Sequence, residues 1–189
     1  MTFPRHDWKI FLLLSAVLAT RGLAGEPILG PKIDDAAPAK AIMCFDDLKR
    51  LCPPELEQLF ARSPVGPQPV GFVRGEIMHP ANTSLPCWKA QMANKVWKGK
   101  QFCESGDFVN QWKHFQAIRS HVQYGPSYFD GRPCMVLEYD PKTPLFGNMR
   151  DEVREVAPGL YLAMVFDRCG CHTFRGFIAL ELQCNCCGK

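Results

Sequence analysis

Arg132-Pro-Cys-Met-Val-Leu-Glu-Tyr-Asp140, Arg150-Asp-Glu-Val-Arg-Glu-Val156, Leu160-Tyr-Leu-Ala-Met-Val-Phe-Asp167 and Phe174-Arg-Gly-Phe-Ile-Ala-Leu-Glu-Leu182 follow one another with only turn chemistry between them. Each run is too short for an independent helix and rich in β-branched or aromatic residues, which is the pattern of consecutive strands. Met135, Leu137 and Tyr139 alternate with Glu138 and Asp140. Leu160, Leu162, Met164 and Phe166 alternate with Tyr161 and Asp167. The stretch therefore reads as an antiparallel meander.

Working back toward the N-terminus, three more runs have strand character: Val70 to Met78, Val96 to Cys103, and Ala117 to Tyr124. Phe108 to Phe115 fits neither period. Ser84 is placed to cap a helix over 85–96, with Leu85, Trp88, Met92 and Val96 on its apolar face. Two shorter helices are expected over Cys44–Cys52 and Pro53–Ala61, the second with Leu56, Leu59 and Phe60 on one side. Closing the meander removes its edges, so the expected fold is mainly β: a barrel of seven or eight antiparallel strands with one or two N-terminal helices.

The ends carry different information. Arg5 and Lys9 precede the apolar run Ile10–Leu18, and Gly22-Leu-Ala24 supplies small residues at a cleavage position. That is the layout of an export signal, and the run is too short to span a membrane. The expected organisation is a signal peptide over 1–24, a flexible leader over 25–41, a helical segment and Pro-rich linker over 42–69, a barrel over 70–183 and a Cys-rich tail over 184–189. The location is then periplasmic or extracellular, with no transmembrane anchor left after cleavage. The 189-residue chain has a formal net charge of +3, and losing Arg5, Lys9, Arg21 and Asp7 brings it closer to neutral. Without a basic cluster, no nucleic-acid partner is expected.

Ten cysteines all lie beyond residue 24, an even number in an exported chain, which favours disulfides. In a Leu160–Leu182 hairpin, Cys169 and Cys171 sit at the turn and Cys184, Cys186 and Cys187 at the far end, roughly 26 Å away at 3.3 Å per residue. One tetrahedral zinc cannot join clusters so far apart. The meander expects Cys134 to pair within the C-terminal group, Cys103 to pair with Cys169 or Cys171, and Cys44 with Cys52 locally.

Trp97-x-Gly99-Lys100-x-Phe102, Gly125-Pro-Ser127-x-Phe129-Asp-Gly131 and Arg150-Asp-Glu-Val-Arg-Glu-Val-Ala-Pro-Gly-Leu-Tyr-Leu162 together resemble a family of small bacterial proteins without an assigned activity. The first motif is also similar to the Gly-x-Trp-x-Gly motif of calycin-type, lipocalin-like barrels. This chain departs from it, because Gly71-Phe-Val-Arg-Gly75 has no Trp and the spacing is longer. The resemblance implies a barrel, and the calycin likeness an apolar ligand.

No motif fixes a reaction. A Gly-x-Ser-x-Gly elbow and a phosphate-cradling loop are both missing. His79, His114, His121 and His172 lack a partner at metal-ligand spacing, so no metal and no cofactor is expected. The charged run Arg150, Asp151, Glu152, Arg154 and Glu155 admits two readings. In one, Arg150 or Arg154, with Glu152 nearby, grips the polar end of a ligand beside Tyr124 or Tyr139. In the other, preferred, the charges form an ion-pair ladder at the barrel rim. The expected function is non-catalytic binding of a small apolar or amphipathic ligand, lined by Met135, Leu137, Leu162, Met164, Phe166 and Trp97. A filled core is the competing use of the same residues. The alternatives are an enzyme using Glu138, Asp140, Asp151, Arg150 and Tyr124, and a disulfide-stiffened interaction module of the envelope.

Overall fold

The computed structural model describes residues 44–80, 87–143, 146–169 and 171–183. Eight strands form a closed antiparallel barrel in chain order: β1 Gly71–Pro80, β2 Trp97–Phe102, β3 Asp107–Trp112, β4 Gln116–Pro126, β5 Pro133–Glu138, β6 Met149–Ala157, β7 Leu160–Asp167 and β8 Phe174–Leu182. β8 returns to pair antiparallel with β1, Val73 opposite Leu182 and Ile77 opposite Ile178. An up-and-down meander closes antiparallel only with an even number of strands. The eighth is β3, drawn from the Phe108–Phe115 stretch that fits no period.

The extra strand reverses the direction of everything before it. The β2–β3 turn, with Cys103, lies at the barrel end that holds Gly71, Pro133, Leu160 and Leu182. Cys169 and Cys171 lie at the opposite end, after β7. The expected Cys103 bond to either is therefore not formed, and Cys44, Cys52, Cys103, Cys134, Cys169 and Cys171 all carry free thiols. Cys134 does sit at the end toward which the chain terminus runs, but Cys184, Cys186 and Cys187 lie outside the described residues.

Three helices occur among the described residues: α1 Phe45–Lys49, α2 Pro53–Arg62 and α3 Cys87–Val96. Pro53 and Pro54 start α2, where their missing N–H groups cost nothing, and the Glu55 carboxylate accepts from Cys52 N at 2.7 Å. α3 begins inside the span expected for it, and Ser84 and Leu85 lie outside the described residues. Ala93 is buried in the inner core, and Val96 packs against that core, as the expected apolar face required, whereas Met92 of that face is 41% exposed.

The barrel wall separates two cores. Inside lie Val73, Trp97, Phe102, Phe108, Trp112 and Tyr139, with Met135, Leu137, Val153 and Tyr161. Outside, Phe45, Leu48, Leu56 and Phe60 of α1 and α2 cover Leu162, Met164, Phe166, Phe177 and Ala179. Each of these Leu, Met and Phe side chains contributes roughly 1.5–3 kcal/mol of burial. This corrects the expected lining. Leu162, Met164 and Phe166 do share a face, but it points away from the lumen, and Tyr161, Ala163 and Val165 face inward. Both rows of β7 are apolar because both are covered.

The linker after α2 runs beneath one mouth of the barrel. There Tyr161 Oη donates to Pro67 O at 3.1 Å, Glu155 N donates to Pro64 O at 3.1 Å, and Val65 packs on the inner core. At the other mouth Phe146 is buried against Trp112 and Tyr139.

Candidate functional site

β6 carries charges on both faces, and the structure assigns them different partners. Arg150, Glu152 and Arg154 pair across the sheet with Phe166, Met164 and Leu162, which puts them on the outer face. There they hold the β4–β5 loop. Glu152 accepts from Ser127 Oγ and, at 2.8 Å, from Tyr128 N. Arg150 donates to Glu152, Glu138 and Pro126 O at 2.8, 3.0 and 2.6 Å. Arg154 makes a forked pair with Asp130 at 2.7 and 2.8 Å and also donates to Arg132 O, Pro133 O and Phe60 O. The Tyr128 ring stacks on His172 at 3.8 Å and carries the Arg150 guanidinium at 4.2 Å.

These groups are saturated by protein. Burial alone would lower the Arg150 pKa, but Glu152 and Glu138 outweigh it and raise it. Burial would raise the Asp130 carboxyl, but Arg154 and neighbouring backbone donors hold it below its usual 3.8. The Gly125–Gly131 motif and the Arg150–Leu162 motif are thus two halves of one clamp. Arg150 and Arg154 are not ligand contacts in the lumen, and neither is Glu152: the residues of β6 that face inward are Met149, Asp151 and Val153.

The inner face is different. Asp151 is opposite Leu137 and Val165, both directed into the barrel. Its Oδ2 lies 3.1 Å from Lys100 Nζ, with both side chains 2% exposed. Tyr139 Oη donates to the same Oδ2 at 3.1 Å and accepts from Lys100 at 2.5 Å. Asn110 Oδ1 accepts from Lys100 Nζ and from Trp97 Nε1, each at 3.1 Å. The ammonium therefore has three acceptors for three protons, with the Phe108 ring 5.0 Å away. Asp151 Oδ1 is buried and has no hydrogen-bond partner. Burial lowers the Lys100 pKa, and Asp151 only partly opposes it; burial raises Tyr139 well above its ordinary value.

Backbone irregularities assemble this cluster. Strict alternation would send Trp97 and Lys100 to opposite faces, but the register shifts between Trp97 and Gly99 and turns both inward. Gly99 has φ 134° and lies so close to the β1 backbone that a Cβ would overlap Val73 O, while a Cβ on Gly75 would overlap the Trp97 ring. A second shift, between Val109 and Asn110, accompanies the left-handed Ile118 on the facing strand.

Beside the cluster is a cavity of about 60 Å³, lined among others by Ile77, Phe146, Met149 and Ile178 together with Lys100 and Asp151. It is less than half the roughly 150 Å³ of an engineered apolar cavity that accepts benzene, so it suits a few waters or a ligand of about four heavy atoms. Large inward side chains fill the rest of the lumen.

Of the residues expected to form a ligand site, Trp97 and Tyr139 belong to this cluster, and Met135 and Leu137 to the packed core of the lumen, Leu137 directly opposite Asp151. Tyr124 lies opposite Met135 but is 59% exposed. The enzyme constellation is dispersed: Glu138 and Arg150 are outside, Asp151 is inside, and Asp140 caps an exposed turn by accepting from Lys142 N at 2.8 Å. Lys100 and Asn110 were not foreseen, although Lys100 stands inside the Trp97-x-Gly-Lys-x-Phe102 motif. Among the described residues no group of His, Cys, Asp and Glu is arranged to hold a metal ion.

No family model and no curated protein matches the chain. A crystal structure of a protein from Thermomonospora curvata has a similar fold, with a TM-score of 0.50 at 13% identity over 71% of this chain and 89% of that one. The fold is shared with a bacterial protein, and at that identity nothing further follows from the likeness.

Proposed function

We propose that the barrel binds a small amphipathic molecule in the lumen without transforming it, the polar end of the ligand meeting the Lys100–Tyr139–Asp151 cluster. The observation that carries this is the unpartnered Oδ1 of Asp151, a residue that lines the cavity. A buried carboxylate oxygen left without a donor costs free energy that ordinary core packing avoids, so its retention points to a group that arrives from outside. Lys100 already balances the charge. The ligand is therefore a neutral hydrogen-bond donor, such as a short alcohol, with its apolar end against Ile77, Met149 and Ile178. This fits the calycin likeness of the Trp97 motif at a much smaller scale than a lipid carrier. The export signal expected over residues 1–24 supports a ligand met outside the cytoplasm.

Titration of the full chain with propanol and butanol, followed at the Trp97 indole N–H by NMR, tests the proposal. Saturable shifts are expected, lost when Ile178→Trp fills the cavity without touching a charge. Indifference of the Trp97 signal to every short alcohol, at concentrations that leave the fold intact, would refute it.

A further inference from the structure

We infer that Lys100 is a covalent site for small carbonyl compounds, capturing an aldehyde or ketone of about four heavy atoms as a protonated imine. The inference rests on the lumen being a ligand site and adds a reaction to it. Its geometric basis is one amine that lines the cavity beside a carboxylate and a phenol, all held in one hydrogen-bonded group. An ordinary surface lysine is protonated and hydrated. Lys100 is stripped of water, and that burial lowers its pKa and favours the neutral amine that attacks carbonyls.

The proton inventory closes within the cluster. Lys100 Nζ passes one proton to Asp151, whose Oδ1 has a free lone pair to receive it. The amine nitrogen forms a bond to the carbonyl carbon as the C=O π pair moves onto oxygen. That oxygen takes the Asp151 proton, and the nitrogen returns one of its own to Asp151. The hydroxyl then departs as water with this proton while the nitrogen lone pair forms the C=N bond. One carbonyl compound is consumed, one water is released, no electrons are gained or lost, and the cationic iminium replaces the ammonium opposite the restored Asp151 carboxylate. Asn110 and Tyr139 have positioning roles, holding Nζ from two sides at 3.1 and 2.5 Å.

The probe is propanal. Native mass spectrometry of the full chain without reductant is expected to show saturable addition of one aldehyde less one water. After cyanoborohydride treatment near neutral pH, peptide mapping should place one propyl group on Lys100 before the exposed Lys98 and Lys113 react. Lys100→Arg, which keeps the charge, should abolish the single-site adduct, as should the cavity-filling Ile178→Trp. The mapping on the unaltered chain decides the matter even if a variant misfolds: label confined to Lys98, Lys113 and other exposed lysines overturns the inference. Propanol shifts at Trp97 without an adduct at Lys100 would overturn the covalent step and leave non-covalent binding standing. Absence of both would remove the two together.

Discussion

The two faces of β6 carry charge for different ends. On the outer face Arg150, Glu152 and Arg154 are matched by named donors and acceptors from the β4–β5 loop and α2, so charge there works as mortar. On the inner face, one residue along, Lys100 and Asp151 are as deeply buried, yet one carboxylate oxygen is left over beside a cavity. A buried ion pair is a poor way to gain stability, because removing two charges from water costs about what their attraction returns. The outer set offsets that cost with extra hydrogen bonds across distant segments. The inner set does so incompletely, and that incomplete satisfaction is the ground for the ligand site proposed above.

The sharpest way to break this contrast is Arg154→Met. It removes the guanidinium that bridges the Asp130 carboxylate to the carbonyls of Phe60, Arg132 and Pro133, and a loss of about 3–5 kcal/mol is expected in urea unfolding. Inside the barrel, Asp151→Leu alone should cost about 3 kcal/mol by stranding the Lys100 ammonium. The double change Lys100→Met and Asp151→Leu should return stability to within about 1 kcal/mol of the original or exceed it, with alcohol binding gone. If the double variant is as unstable as the two single changes combined, the inner pair is mortar too and the contrast fails.

Ser127→Ala removes one donor to the buried Glu152, and about 2 kcal/mol is expected in the same unfolding measurement. The smallest effect is on acid tolerance. Because the Asp130 carboxyl is held below 3.8, its stabilisation is complete above that pH and is lost as pH falls through the lower folded-state value. Asp130→Asn should therefore flatten the stability profile below pH 3.8, measured by denaturant melts at successive pH. An unchanged slope would mean that Arg154 does not depend on this carboxylate.

The strands of residues 132–182 were legible because alternation and turn residues agree there. β3 was not, since Phe108, Val109, Asn110 and Trp112 are all buried and no period-2 signal survives. Which face of β7 points inward was equally hidden. Leu162, Met164 and Phe166 look like a core row and are one, but the core is the layer beneath α1 and α2. Strand periodicity reports burial and is blind to which side of a closed wall does the burying. Tyr139 and Trp97 were found as large inward residues. Lys100 escaped because a bulge at Gly99, invisible to alternation, turns it inward with Trp97.

The Arg154 donation to Phe60 O spans 94 positions of sequence, which has a consequence for biosynthesis. α1 and α2 emerge early, but the surface they cover belongs to β7 and β8, the last strands to be made. Until translation has passed residue 182, the β7 and β8 side chains that Phe45, Leu48, Leu56 and Phe60 cover are not all in place, and the barrel seam between β1 and β8 stays open. A chain truncated before β8 would leave these apolar side chains partly uncovered and the β1 and β7 edges unpaired, the exposure that promotes aggregation.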